Sequence, residues 1–145
     1  SFIRRFYKAK LEKSEIVTCW GTGTPRREFL YVEDLAKAIL FVLEKWDIND
    51  HFMPLDLNGE PLSFLNVGTG KDISIKELAI LVSEIIGFKG TIKWDNSMPD
   101  GTPRKLLDIS RLKNLGWSPN TSLEDGLKLT IENFESQLFS KKNSF

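Results

Sequence analysis

The stretch Leu62-Ser63-Phe64-Leu65-Asn66-Val67-Gly68-Thr69-Gly70-Lys71-Asp72-Ile73-Ser74-Ile75-Lys76-Glu77-Leu78 decides the fold class. Its first six residues are mostly apolar and stop at two glycines, the pattern of a strand running into a turn. Ser74 and Glu77 then form a capping box. Behind it Ile75, Leu78, Ala79, Val82, Ile85 and Ile86 recur at helical spacing until Gly87 ends the run. Strand, turn and helix in that order predict an α/β fold.

The same alternation extends in both directions. Ile16-Val17-Thr18-Cys19-Trp20 is β-branched and apolar and ends at Gly21, so it predicts a strand followed by a Gly-Thr-Gly-Thr-Pro loop. A short strand is predicted over Phe29 to Val32. It runs into a helix from Glu33 to Trp46, with Glu33 and Asp34 in its first turn and Leu35, Ile39, Val42, Leu43 and Trp46 on its buried face. Residues 47–61 carry two prolines and no period, which predicts a surface loop or a variable insertion. Further on, Thr91 to Trp94 predicts a strand, and Asp108 opens a short helix through Leu112 and Leu115 to Gly116, with Pro119 barring its continuation. A last helix begins at Ser122, with Leu123, Leu127, Ile131, Phe134 and Leu138 on one face, and the tail Ser140 to Phe145 is expected to fray. At the front, Phe2, Ile3 and Phe6 already lie at helical spacing beside Arg4, Arg5 and Lys8. With Ser1 in place of an initiator Met, the chain reads as starting inside an amphipathic helix, and further chain is expected upstream; the other reading is a processed or tagged N-terminus on a complete domain.

Composition narrows the function classes. A chain of 145 residues, 41% hydrophobic and 28% charged, can bury the core of one domain. Its 20 basic and 20 acidic side chains cancel, so no whole-molecule field draws it to nucleic acid or to anionic lipid, and any anion must be held locally. One cysteine, Cys19, cannot form an internal disulfide. No apolar run approaches the roughly 18 residues of a spanning helix, so no membrane partner is expected and the cytoplasm is the expected location. With His51 as the sole histidine there is neither a zinc cluster nor a Cys/His nucleophile pair, and no metal is expected.

Two motif readings fail on chemistry. A P-loop ending at Gly70-Lys71 would need Gly at position 65 and Ser or Thr at 72, where Leu65 and Asp72 stand; a dinucleotide fingerprint over Gly68 and Gly70 would need Gly at 73, where Ile73 stands. What remains is either a turn whose exposed amides near a helix N-terminus could meet a ligand, or a tight turn that needs positive φ at glycine. Arg4, Arg5, Arg26, Arg27 and Arg104 lie on or beside polar loops, where a guanidinium fork suits a diphosphate; the other reading of each is a solvated surface charge. Trp20, at a strand end, either stacks on a purine or belongs to the core.

Three segments carry a resemblance: Trp20-Gly-Thr-Gly-Thr-Pro-Arg-Arg27-Glu-Phe-Leu-Tyr-Val-Glu-Asp34-Leu, Asn66-Val-Gly-Thr-Gly70, and Pro99-Asp-Gly-Thr-Pro-Arg-Lys105-Leu-Leu-Asp108, closing with Leu115-Gly-Trp-Ser-Pro119. They resemble the C-terminal portion of GDP-L-fucose synthase, an extended short-chain dehydrogenase/reductase that epimerises and, with NADPH, reduces GDP-4-keto-6-deoxy-mannose. The resemblance covers nearly the whole chain apart from residues 47–61. Arg-Glu-Phe-Leu and Leu-Gly-Trp are shared across extended reductases, whereas Pro-Asp-Gly-Thr-Pro-Arg-Lys is more particular.

The resemblance implies that Arg5, Trp20, Arg27 and Asp100, with Lys105 as a fifth, bind the GDP-sugar, Arg27 on the diphosphate and Trp20 and Asp100 shaping the nucleotide pocket. It implies that the family's catalytic Ser, Tyr-x-x-x-Lys pair, Cys and His, and its Gly-rich NADP loop, lie upstream of Ser1, so that no catalytic residue is assigned. Tyr7 and Tyr31 are followed four positions on by Leu11 and Leu35 rather than Lys, and Cys19 matches an ordinary strand position. NADP is the cofactor of the family, and none is expected to bind this chain alone. Residues 1–145 then form a substrate-binding portion whose segment 29–70 packs on a Rossmann half, the missing partner, and whose exposed apolar surface permits self-association. Two other readings stay open: a fragment of another nucleotide-sugar epimerase or dehydratase, and a stand-alone, non-catalytic nucleotide-sugar-binding module.

Overall fold

The computed structural model describes residues 2–45, 55–62 and 64–142, the last four of them by backbone alone. Its elements run α1 (Phe2–Leu11), β1 (Ile16–Trp20), β2 (Arg26–Glu28), α2 (Val32–Lys45), β3 (Asp72–Ser74), α3 (Ile75–Ile86), β4 (Thr91–Asp95), β5 (Arg104–Lys105), α4 (Ser110–Asn114) and α5 (Leu123–Lys142). The fold is α/β. Two compact units share the chain: Ser1–Arg27 with Ile73–Lys105 and Ser122–Phe145, and Glu28–Asp72 with Leu106–Thr121.

In the first unit β1 pairs parallel with β4, Ile16 opposite Thr91 through Trp20 opposite Asp95. The pleat turns Val17 and Cys19 inward and leaves Ile16, Thr18 and Trp20 on the outer face. The inward pair meets Phe6 and Ala9 of α1, Leu78, Ala79, Val82 and Ile86 of α3, Phe88, and Ile131 of α5 in one core. The capping box of α3 is formed in full: Ser74 Oγ accepts from the Glu77 amide at 3.1 Å, and the Glu77 carboxylate accepts from the Ser74 amide at 2.9 Å. Gly87, at φ 77°, closes the helix in the left-handed region that glycine enters without strain. A second sheet has the order β3-β2-β5, with Arg26 opposite Arg104 and Arg27 opposite Lys105.

The second unit is smaller. Ala38 of α2, Leu112 of α4 and Trp117 form its core, with Leu30, Phe41, Val42, Leu65 and Val67 packed against them. Asp34 lies in α2 at 1% exposure and accepts hydrogen bonds from the amides of Asn120 and Thr121 at 3.1 and 2.8 Å.

Several sequence expectations are displaced. The strand expected over Phe29 to Val32 lies three residues earlier, at Arg26–Glu28, where β5 supplies a partner. Leu62 and residues 64–67 form no strand; Leu65 and Val67 use their apolar side chains in the core, with no neighbouring strand to bond to among the described residues. Of the α2 stripe read as buried, Val42 packs on the core, but Leu35, Ile39 and Leu43 are exposed, and Ala38 and Phe41 face the core in their place. Trp46 lies outside the described residues. So do residues 47–54 of the expected loop, whereas 55–61 form a turn closed by the Leu55–Pro61 bridge and by the Asp56 carboxylate. The last helix continues to Lys142, and residues 143–145 of the tail expected to fray lie outside the described residues. Phe134 of that helix meets Tyr7 edge-on at 5.4 Å between ring centroids.

Candidate functional site

The loop from Gly21 to Pro25 leaves the end of β1, and hydrogen bonds hold its backbone on both sides. Gly21 donates to the Asp95 carbonyl at 2.9 Å, Thr22 to Asp100 Oδ1 at 2.9 Å, and Thr24 to Thr22 Oγ1 at 3.1 Å, while Arg26 donates to the Pro103 carbonyl at 2.8 Å. The loop in turn caps α3: the carbonyls of Pro25 and Gly23 accept from the Ile75 and Lys76 amides, each at 2.9 Å. With the capping box, this leaves no free amide in the first turn of α3 to attract an anion.

Two close approaches explain its glycines. A Cβ on Gly23 would lie 2.8 Å from the Trp94 ring, and one on Gly21 would overlap Asp100 Oδ1; both residues also hold positive φ.

All five candidate site residues belong to the first unit. Trp20 ends β1 with its side chain 66% exposed, which excludes the core reading. Arg27 is half-buried on β2, its Nη1 donating to the Arg26 carbonyl at 2.7 Å and its Nη2 lying over Gly101, where an added Cβ would stand 3.3 Å away. Lys105 is exposed on β5 opposite Arg27 in register. Arg5, on α1, donates from Nη1 to the Thr18 carbonyl at 2.9 Å, and Thr18 shares with Trp20 the outer face of β1. Asp100 is exposed, yet both of its oxygens are taken by Thr22: Oδ1 by the amide and Oδ2 by the hydroxyl, at 2.6 Å.

The arrangement therefore offers an exposed indole and basic side chains around a loop of fixed shape, with loop amides turned to protein partners. Such a surface can stack a base and neutralise a diphosphate. Cys19 cannot serve as a nucleophile there. It is 1% exposed, and burial raises its thiol pKa above the ordinary value against the pull of the Arg5 guanidinium.

The turn at Gly68-Thr69-Gly70 resolves differently from the ligand-facing reading. Glu28 Oε1 accepts from the amides of Thr69 and Gly70, and Oε2 accepts from the Leu107 amide at 3.0 Å. The carboxylate of Glu28 occupies the cradle that a pyrophosphate would need, so these residues do not fit NADP. Among the described residues no group of His, Cys, Asp or Glu side chains could hold a metal ion, and no helix is long and apolar enough to cross a membrane. Thr22 and Glu28 were missed in the sequence. The signals were there, in a Thr between two loop glycines and an acid beside Arg27, but neither shows which amides it will meet.

Residues 1–53 match the NAD dependent epimerase/dehydratase family. GDP-L-fucose synthase of Escherichia coli (strain K12) is 46% identical over 134 residues, which is 92% of this chain and 40% of that protein. GDP-L-fucose synthase 1 of Arabidopsis thaliana is 46% identical over 132 residues, 91% of this chain and 37% of its own length. Over nearly all of its own length the chain is similar to GDP-L-fucose synthases. It spans about two fifths of the length of these relatives. Among solved structures, a GDP-mannoheptose C4 reductase from Campylobacter jejuni with NADP bound superposes at a TM-score of 0.77 and 34% identity, over 92% of this chain and 43% of the reductase.

Proposed function

We propose that the first unit is the GDP-sugar-binding part of a cytoplasmic, NADPH-dependent epimerase and reductase that converts GDP-4-keto-6-deoxy-mannose to GDP-L-fucose. The observation that carries this reading is Trp20: a large indole left two-thirds in water at the end of a core strand, beside a loop pinned by hydrogen bonds on both sides. An exposed indole among basic side chains is a surface that can stack a base and meet a diphosphate. In this reading guanine stacks on the indole, the Arg27 fork takes the diphosphate, and Lys105 and Arg5 add positive charge that favours the dianion.

The second unit is assigned a different task. Val32, Leu35, Ile39 and Leu43 follow one another at steps of three and four along α2 and are 68%, 40%, 51% and 75% exposed. We infer that this stripe packs on a Rossmann half that supplies NADP binding and the catalytic groups. The 145 residues alone then bind GDP-sugar and turn nothing over.

Calorimetric titration of the chain with GDP, and with UDP and NADPH as controls, tests this. Saturable heat with GDP and none with NADPH is the expected result. Absence of GDP binding, or steady NADPH oxidation with the keto-sugar, would overturn it.

A further inference from the structure

We infer that Thr22 and Asp100 form a latch that positions Trp20 and Arg27 for ligand, so that Asp100 serves recognition through Thr22. The inference rests on the GDP-binding reading of the first unit and adds a positioning role to the one that resemblance gave Asp100.

Three observations support it. The carboxylate has no oxygen without a partner: the Thr22 amide and hydroxyl take one each, at 2.9 and 2.6 Å. The Thr22 hydroxyl passes the constraint on, meeting Thr24 Oγ1 at 2.7 Å and accepting from the Thr24 amide, so one carboxylate shapes the whole turn after Trp20. The residue after Asp100 is Gly101, which lies beneath Arg27 Nη2. The segment then continues to Pro103, whose carbonyl accepts from the Arg26 amide, and to Lys105, opposite Arg27. A single acid thus ties the loop that follows the indole to the segment that flanks the guanidinium.

A latch and a ligand contact differ in what they tolerate. Asn at position 100 keeps an oxygen for the Thr22 amide and an amine that can donate to the Thr22 hydroxyl, which is free to rotate. It satisfies the latch without the negative charge. Positions that act through one another are also non-additive.

The test is GDP affinity measured by calorimetry on the 145-residue chain. Asp100→Ala and Thr22→Val should each weaken binding about five- to tenfold, and the double variant should be no weaker than the worse single. Asp100→Asn and Thr22→Ser should stay within about twofold of the parent chain, and the thermal midpoint should not move, because both side chains are exposed. Without ligand, hydrogen exchange of the Thr22 amide should speed up in Asp100→Ala and not in Asp100→Asn. Losses that multiply in the double variant, Asp100→Asn as damaging as Asp100→Ala, or unchanged exchange in Asp100→Ala would each overturn the latch while leaving GDP recognition standing. Failure of the parent chain to bind GDP would remove the recognition reading, and the latch's role in it would fall too.

Discussion

The carboxylate of Glu28 accepts a hydrogen bond from the backbone amide of Gly70, 42 residues away in sequence. Its other oxygen accepts from the Leu107 amide at 3.0 Å, so one side chain closes the turn after Val67 and fastens the segment that leads to α4. An added Cβ at Gly68 would collide with the same carboxylate, which is why the turn carries glycine there.

Glu28→Ala orphans these amides, and an unsatisfied donor costs about 1–3 kcal/mol when water cannot replace the partner. The expected outcome is a fall of about that size in unfolding free energy by urea titration, with Glu28→Gln intermediate, because its amide nitrogen cannot accept from Leu107. An unchanged midpoint in Glu28→Ala would show that water substitutes fully.

Asp34 predicts a pH dependence. Burial raises its pKa, but the hydrogen bonds from Thr121 and Asn120 and the nearby Lys37 ammonium outweigh that, and the carboxyl lies below its ordinary value of 3.8. A depressed folded-state pKa means that the stabilisation is whole above about pH 3.8, the unfolded value, and is lost as pH falls through the lower folded value. Asp34→Asn should therefore lower stability at pH 7 by about 2 kcal/mol and make the acid limb of the stability curve shallower. Chemical unfolding at pH 7 and pH 3 measures both. An acid limb as steep as in the parent chain would assign the effect to other carboxylates.

What was legible in the sequence follows from where each signal lives. Ser74, Glu77 and Gly87 marked α3 correctly because caps are local chemistry, satisfied within a few residues. Ile16–Trp20 was legible for a related reason, since a β-branched, apolar run that stops at a glycine is a local signal too. The apolar run at 64–67 misled, because strand propensity yields a strand only where another strand offers its hydrogen bonds. In α2 the sequence shows more apolar residues than one face requires, and it cannot say which stripe this chain covers. The roles of Thr22 and Glu28 depend on partners 78 and 42 residues distant, beyond any pattern read along the chain.

The cap of α3 gives a further expectation. Ser74→Ala removes the acceptor for the Glu77 amide and one partner of the Glu77 carboxylate, so unfolding free energy should drop by about 0.5–2 kcal/mol. Ser74→Thr, which keeps a hydroxyl to accept from the Glu77 amide and donate to its carboxylate, should recover most of it. If alanine is silent in a thermal melt, the loop carbonyls of Gly23 and Pro25 hold the helix start unaided.

The α2 stripe predicts association. Left in water, Val32, Leu35, Ile39 and Leu43 should make the isolated chain self-associate or bind a hydrophobic dye. Ile39→Glu with Leu43→Glu should give a monomer in sedimentation experiments while leaving GDP affinity within about twofold, since the stripe and the candidate site belong to different units. A monodisperse parent chain without dye binding would refute the docking role assigned to this stripe.

Arg27 is the sharpest test of the site. Its guanidinium is braced by the Arg26 carbonyl at 2.7 Å, which leaves other N–H groups of the fork for a ligand. A charge-assisted hydrogen bond to a diphosphate is worth about 1.5–3 kcal/mol, so Arg27→Ala should weaken GDP binding roughly ten- to a hundredfold. Arg27→Lys should recover only part, because an ammonium keeps the charge and loses the planar fork. Arg26 provides the contrast. Consecutive side chains of a strand point to opposite faces, and Arg26 reaches the Glu77 carboxylate at 3.6 Å, both side chains largely in water. Arg26→Ala should leave GDP affinity within about twofold, as expected for an exposed ion pair. Calorimetry on the two alanine variants decides: equal losses, or none in either, would show that β2 does not present Arg27 to the nucleotide.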